Sequence, residues 1–376
     1  MNYVFHLLKK KLTFKKNKKV DLLVLDDLFI EFDFKNLNYV IYNENEINLR
    51  YFFAIIFEFF FSKRKNFSFL KELYFKKVIS SYNPKIVLGK DRYGFITKYK
   101  KHFPQKTSIF YEWGYTFDDQ ILMAQHVIQG YPRNVAWNIN LGKKNEITKN
   151  FKPISSPDYY FVLDERSQKF ISKVFDSKFY VTGSIKNNEK TVFDNKKVYD
   201  YMFISDYRYN EKSNLEDDVE RTKRFNNCSG FVLKSISNYC KKTGKKYSIA
   251  TSSTRKDKQR SKTLSLSLEL NFYNKFATDY IIEDISSLEL AEKSKVCICT
   301  HSFFGYDLLA RGKRVLFINT LPNYNWHFFN NKSNGPFWYC GQDESEISDK
   351  LKDILIMSDI EWIENVKKIP SIMKFD

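Results

Sequence analysis

Short apolar runs ending in small or acidic residues recur along this chain. Between them, apolar positions space out to a helical period. VDLLVLDDL (20–28) is apolar without alternation and closes on Asp26 and Asp27, which predicts a strand buried on both faces. YVIYNE (39–44), PKIVLGKD (84–91), TSIFYEWGY (107–115), DYYFVLDE (158–165) and KFYVTGSIKNN (178–188) read the same way. Residues 46–80 carry a helical pattern with lysines on one side, and another helix is expected after 165. A polar, lysine-rich stretch, 186–198, reads as a linker. The pattern then restarts. Strands are expected at 199–207, 246–254, 279–284, 295–302 and 313–319, and a charged loop at 209–224. Helices are expected at 230–244, 266–276, 285–294, 304–312 and 344–367. Gly244 stops the first of these, and Ser286 or Ser287 suits the N-cap of the third.

Strands alternating with helices build parallel sheets from βα units. Two such series predict an α/β chain with two Rossmann-like doubly wound domains, residues 1–188 and 189–376, facing each other across a cleft. A chain of 376 residues suits two domains. Its 43% hydrophobic and 18% aromatic content is enough for two cores. The run FFAIIFEFFF (52–61) is about half the roughly 20 residues that span a bilayer and contains Glu58, so it reads as a buried helix. MNYVFHLLKKKLTFKKNKK at the start lacks the order of a signal peptide. The five cysteines form no CxxC pair, which predicts neither a zinc site nor a disulfide framework and fits a reducing cytoplasm. Cys297 and Cys299 are expected on one side of a strand.

The formal charge of +18 suggests an anionic partner, although AT-rich codon usage would enrich lysine just as well. Basic residues are scattered over many elements and no nucleic-acid motif is present, so no nucleic acid is expected.

In open α/β sheets, ligands bind beyond the carboxyl ends of the strands. The candidates there are Asp26 and Asp27; Asp91; Glu112 and Gly114; Gly183 and Ser184; Asp206; Thr251 to Arg255; and Thr300 to Gly305. In CTHSFFGYDLLARGK (299–313) a strand gives way to a helix whose free amides and positive end could hold a phosphate. Ser302 could cap that helix, Gly305 would permit close approach, and Asp307 sits in the first turn. Ser302 and Asp307 fit equally well as plain helix caps, and His301 as a structural histidine. TSSTRKDKQR (251–260) has the hydroxyls and cations to bind a diphosphate, or is a solvated loop. Asp91 and Glu112 are candidates for a catalytic base, or capping acids. No P-loop, GxGxxG, GxSxG, metal-spaced His/Cys cluster or DxD pair occurs, so no metal site is expected.

The segment 278–319 resembles the nucleotide-sugar half of bacterial GT-B glycosyltransferases, in which a Ser/Thr loop precedes G-[YF]-E-A-L-x-x-G-K-x-V. Gly305, Gly312 and Lys313 match, and Asp307 stands in place of the Glu. More narrowly, NPKIVLGKDRYGF (83–95), FYVTGSIKNN (179–188) and LELNFYNK (268–275) resemble motifs of bacterial surface-carbohydrate (capsule and lipopolysaccharide) biosynthesis proteins. That group usually has Gln-Asn-Gly where this chain has Glu112-Trp113-Gly114.

The resemblance implies a metal-independent glycosyltransferase of the EC 2.4 class, with the donor on the C-terminal side and the acceptor on the N-terminal side. No cofactor is implied beyond the nucleotide-sugar co-substrate. Gly183, Ser184, Arg255, Thr300, Ser302 and Gly305 would hold the nucleotide or its phosphates, and Asp307 the ribose or sugar hydroxyls. Glu112, Asp91 and His301 would carry the catalysis. The acceptor would be a glycan or a lipid-linked molecule. Lys9 to Lys11 and Lys15 to Lys19 would dock this cytoplasmic protein on the inner membrane. The alternatives are a teichoic-acid-type polyol-phosphate transferase, kept open by His301 but lacking the His of an H-G turn, and a catalytically inactive GT-B scaffold.

Overall fold

The computed structural model describes residues 11–14, 16–25, 36–42, 46–61, 67–90, 100, 102–112, 156–172, 175–184, 196–208, 216–252, 262–321 and 334–367. In chain order the first half contains β1 (Lys11–Thr13), β2 (Leu22–Val24), β3 (Tyr39–Ile41), β4 (Glu46–Asn48), α1 (Leu49–Phe61), α2 (Phe67–Tyr82), β5 (Ile86–Lys90), β6 (Thr107–Tyr111), β7 (Tyr159–Val162), α3 (Glu165–Ile171) and β8 (Lys178–Val181). The second half contains β9 (Tyr199–Ile204), α4 (Glu216–Thr243), β10 (Tyr247–Ala250), α5 (Lys262–Tyr273), α6 (Ser287–Glu292), β11 (Ser294–Cys299), α7 (Phe304–Ala310), β12 (Val315–Asn319), β13 (Trp338–Cys340), α8 (Glu344–Ile356) and α9 (Asp359–Lys367).

Two parallel sheets result. The first runs β3-β2-β5-β6-β7-β8 and the second β10-β9-β11-β12-β13. A separate parallel pair joins β1 with β4. Strands buried on both faces have no polar alternation, and β12, VLFIN, is buried at every position. The first core gathers Leu23, Phe75, Ile79, Val87, Phe110 and Tyr160. The second joins Phe203, Val232, Ile298, Phe317 and Trp362.

Several elements differ from the sequence pattern. The helical stretch 46–80 is divided into β4, α1 and α2. The Asn48 side chain accepts from the Arg50 amide at 3.2 Å and starts α1 as a cap. The charged stretch 209–224 has the composition of a loop, but α4 already begins at Glu216 and runs 28 residues. Acids at 216–218 suit a helix N-terminus, and Phe225, Cys228, Ser229, Val232, Leu233 and Ile236 are buried at helical spacing. The strand expected at 279–284 is reduced to one bridge, Ile281 to Ser248. β13 adds an edge strand too short to stand out in the sequence. Ser286 does cap α6, accepting from the Glu289 amide at 3.1 Å. The first sheet ends at Val181 and the second begins at Tyr199. The expected boundary at 188/189 lies outside the described residues. The run 52–61 is a helix as expected, yet only one of its faces is buried.

Burial pushes the thiols of Cys228, Cys240 and Cys297 up to about 11, 12 and 12. In the folded protein at mildly alkaline pH these cysteines should therefore resist iodoacetamide, while half-buried Cys340 reacts first. Peptide mass spectrometry before and after denaturation checks this, and early labelling of Cys297 would contradict the packing.

Candidate functional site

β9 lies between β10 and β11, and the chain leaves it first to one side and then to the other. Such a reversal opens a crevice at the carboxyl ends of the strands. The residues there are small and polar. Ser205 follows β9, Thr251 and Ser252 follow β10, Thr300 and His301 follow β11, and Thr320 follows β12. All but Ser252 are buried, as is Asn319. A row of buried hydroxyls across four adjacent strands is unusual against the apolar strands beneath it, because each needs a hydrogen-bond partner.

The strongest organiser of this edge is Glu269 on α5, which is fully buried. Its carboxylate accepts from Ser205 Oγ at 2.7 Å, from the Ser252 amide at 2.8 Å and from Ser252 Oγ at 3.1 Å. The Tyr273 hydroxyl also donates to it. Burial, and then the charge of Glu269, pushes the Tyr273 phenol far above its ordinary range. One carboxylate thus ties the ends of β9 and β10 to α5. Sequence reasoning noticed Glu269, Phe272 and Tyr273 as a motif but gave the acid no role.

The end of β11 is held differently. Thr300 Oγ1 lies 3.4 Å from Ser229 Oγ on α4. The His301 ring meets Phe225 edge to face, with centroids 4.6 Å apart, and its Nε2 lies 3.8 Å from Cys228 Sγ. The Arg208 guanidinium sits 3.9 Å over the other partner of this stack, the Phe225 ring, and donates to Asp206 at 3.1 Å. Arg208 is a partly exposed cation at the mouth of the crevice that sequence reasoning missed. Its signal was weak: a lone arginine two residues past an acid.

The turn into α7 departs from expectation. Ser302 Oγ accepts from the Phe304 amide at 3.3 Å, as a cap would. The amides of Gly305, Tyr306 and Asp307 bond to the carbonyls of Ser302 and Phe303. The first-turn amides are therefore satisfied within the turn rather than offered to a phosphate. Gly305 has a packing reason. A Cβ there would stand 2.6 Å from Cys299 Sγ and 3.0 Å from the Phe317 ring, so the glycine lets α7 lie directly on β11 and β12.

Across from this edge, Gly183 and Ser184 follow β8 of the first sheet. Gly183 has φ +70°, which a residue with a Cβ adopts at a cost, and it turns Ser184 toward the second sheet. Ser184 Oγ donates to Asp307 Oδ1 at 3.1 Å, and both residues are buried. Two expected site residues, 123 positions apart, thus meet between the sheets.

Glu112 lies elsewhere. It is buried at the end of β6, where it accepts from the Leu163 amide and from Ser167 Oγ, each at 3.0 Å. It anchors the turn from β7 into α3. Asp91, Arg255, Asp26, Asp27 and Gly114 lie outside the described residues. Among the described residues no group of three or more His, Cys, Asp or Glu is placed to hold a metal ion.

Two doubly wound parallel sheets with facing carboxyl-end residues define a GT-B-like protein. Residues 139–376, more than half of the chain, match the model of a family described as "putative O-antigen biosynthesis protein", and the chain belongs to that family. None of the curated proteins matches the sequence. Among solved structures, the chain is similar to a Listeria monocytogenes protein titled "putative UDP-N-acetylglucosamine 2-epimerase". That match has 10% identity and TM-score 0.51, and covers 95% of this chain and 92% of the other. The UDP complex of Staphylococcus aureus MnaA matches at 11% identity and TM-score 0.48, covering 95% and 93%. The spinosyn rhamnosyltransferase SpnG with thymidine diphosphate matches at 11% identity and TM-score 0.45, covering 82% and 75%. At these identities the likeness concerns the fold alone.

Two substitutions test the architecture of the site. Gly305→Ala should cost roughly 1–3 kcal/mol, because neither Cys299 nor Phe317 can move aside freely. Glu269→Ala should cost about 3 kcal/mol or more by leaving buried donors unpaired, and Glu269→Gln less. Urea denaturation measures both, and a neutral Glu269→Ala would remove its organising role.

Proposed function

We propose that this protein is a glycosyltransferase of O-antigen assembly. It moves a sugar from a nucleotide-sugar donor, bound by residues 189–376, to a surface-polysaccharide or lipid-linked acceptor on the side of residues 1–188. The observation that carries this reading is the buried contact between Ser184 and Asp307. It puts an acid with a hydroxyl partner where the ends of the two sheets face each other. A carboxylate in that position suits vicinal hydroxyls of a ribose or sugar. A hydrogen bond to a charged group is worth about 1.5–3 kcal/mol, so a diol offering two donors can displace the Ser184 hydroxyl.

Departing phosphates need positive charge that is already in place. Arg208 at the crevice mouth and Arg255 are the cations we assign to them, with Thr300 and Ser302 as hydroxyl donors and no metal ion required. For the base that accepts the acceptor proton, Asp91 and His301 stand ahead of Glu112. Protonating Glu112 would put a hydrogen on one of the two oxygens that accept from the Leu163 amide and Ser167. The basic N-terminus, Lys9 to Lys11 and Lys15 to Lys19, would hold the enzyme at the cytoplasmic face of the inner membrane. The occupied carboxylate of Glu112 favours one second reading, an inactive GT-B-like partner of another transferase.

Thermal unfolding with CMP, UDP, GDP, TDP or CDP, each with magnesium or with EDTA, tests the donor site. A nucleotide at about 100 times its Kd stabilises the fold by about 2.7 kcal/mol. One nucleotide should shift the melting point equally with magnesium and with EDTA. Asp307→Ala and Arg208→Ala should abolish most of that shift, whereas Ser184→Ala should keep or increase it. No shift with any nucleotide would favour the inactive partner, and a shift that needs magnesium would refute metal independence.

A further inference from the structure

α1, LRYFFAIIFEFFF, is apolar nearly all round. A helix of this kind belongs in a core, with protein on every side. Here only one face is covered. Tyr51 and Ile55 are buried, and Phe59 meets Phe69 of α2 with ring centroids 6.5 Å apart. The opposite face carries Phe53, 52% exposed, Phe60, 63%, and Phe61, 87%. Phe14, 64% exposed, lies against Phe53 with centroids 6.3 Å apart, and Leu12 beside it in sequence is 59% exposed. Five large apolar side chains on neighbouring elements form a patch of the kind that marks an interaction surface.

The charge beside this patch indicates what it meets. The Asn17 amide donates to the Tyr51 hydroxyl at 2.9 Å, and its side chain donates to Ser81 at 2.7 Å. These bonds fasten residues 16–19 across α1 and α2, with Lys16, Lys18 and Lys19 exposed. Lys63, Arg64 and Lys65 follow α1 directly in the sequence. A second copy of this chain would bring the same lysines and its own charge of +18 to the interface. Lipid phosphates offer the opposite sign together with an apolar layer for the rings. At 13 residues α1 is roughly 20 Å long, too short to span a bilayer but suited to lying in its interface. Among the described residues no helix is long and apolar enough to cross a membrane.

We propose that the outer face of α1, with Leu12 and Phe14, inserts into the headgroup region of an anionic membrane while Lys16, Lys18 and Lys19 bind lipid phosphates. The proposal rests on the acceptor reading above only for the use of such a surface. Vesicle binding needs neither nucleotide nor turnover, so either reading can fail alone. Full-length protein should float with phosphatidylcholine vesicles containing phosphatidylglycerol, and far less with phosphatidylcholine alone. The triple variant Phe53→Ser, Phe60→Ser, Phe61→Ser should bind more than about tenfold more weakly, with unchanged circular dichroism and melting point. Lys16→Gln, Lys18→Gln and Lys19→Gln should each weaken binding about fivefold and flatten its salt dependence. In a Phe60→Trp variant, tryptophan emission should shift to the blue with phosphatidylglycerol vesicles and be quenched by brominated lipid. Flotation of the Phe variant like the parent, or no quenching at position 60, overturns the proposal. So does a solution dimer that the Phe variant dissociates.

Discussion

The second sheet depends on one pairing constraint: β9 is hydrogen-bonded in parallel on both sides, to β10 and to β11. Parallel neighbours need crossovers, so helices must cover both faces and the three strands must end at the same edge. That edge cannot be closed by more apolar side chains without blocking the crevice between the diverging chains. It is closed by hydroxyls instead, and every buried hydroxyl then demands a partner. The demand explains Glu269. A single buried carboxylate satisfied by four donors is tolerable where a lone one would not be, because each bond to the charge offsets part of its desolvation.

The same reasoning separates two acids that look alike in sequence. Glu112 follows the end of β6 and Asp307 lies in the first turn of α7, just past β11, and both are buried. Glu112 accepts from an amide and a hydroxyl of the turn next door in its own sheet, so those bonds serve local architecture. Asp307 receives a hydroxyl from the other sheet. That bond runs from one sheet to the other, so a ligand entering between them would compete for it. Strand-end position alone does not distinguish these roles, and the identity of the donor does.

Much of the fold was legible because buried strands announce themselves. VLFIN and KVCIC could hardly be anything else between helices. The restart after 190 likewise signalled a second sheet. The failures have physical causes. Residues 209–224 look like a loop because their acids and lysines hide the helical spacing that begins at Phe225. For Gly305 the sequence offers close approach without its partner, since nothing local reveals that Cys299 and Phe317 crowd it from two strands. The cation over Phe225 and the network around Glu269 depend on contacts many positions apart, which no spacing rule encodes. The meeting of Ser184 with Asp307 was legible only in the coarse sense that one follows a strand of the first sheet and the other opens the helix after a strand of the second.

The net charge and the apolar helix also bear on each other. The exposed rings of α1 do little to stabilise the fold, since water surrounds them before and after folding. Their penalty falls on solubility, because such patches attract one another. A chain of near-zero charge carrying Phe53, Phe60 and Phe61 in the open would associate through them. A chain at +18 repels its copies. Codon bias would enrich lysine, yet it would not place Lys16, Lys18 and Lys19 on a strap fastened across α1 by Asn17. Lysine placed there works against association of two molecules through this surface. It also leaves that surface attractive to anything apolar that carries the opposite charge.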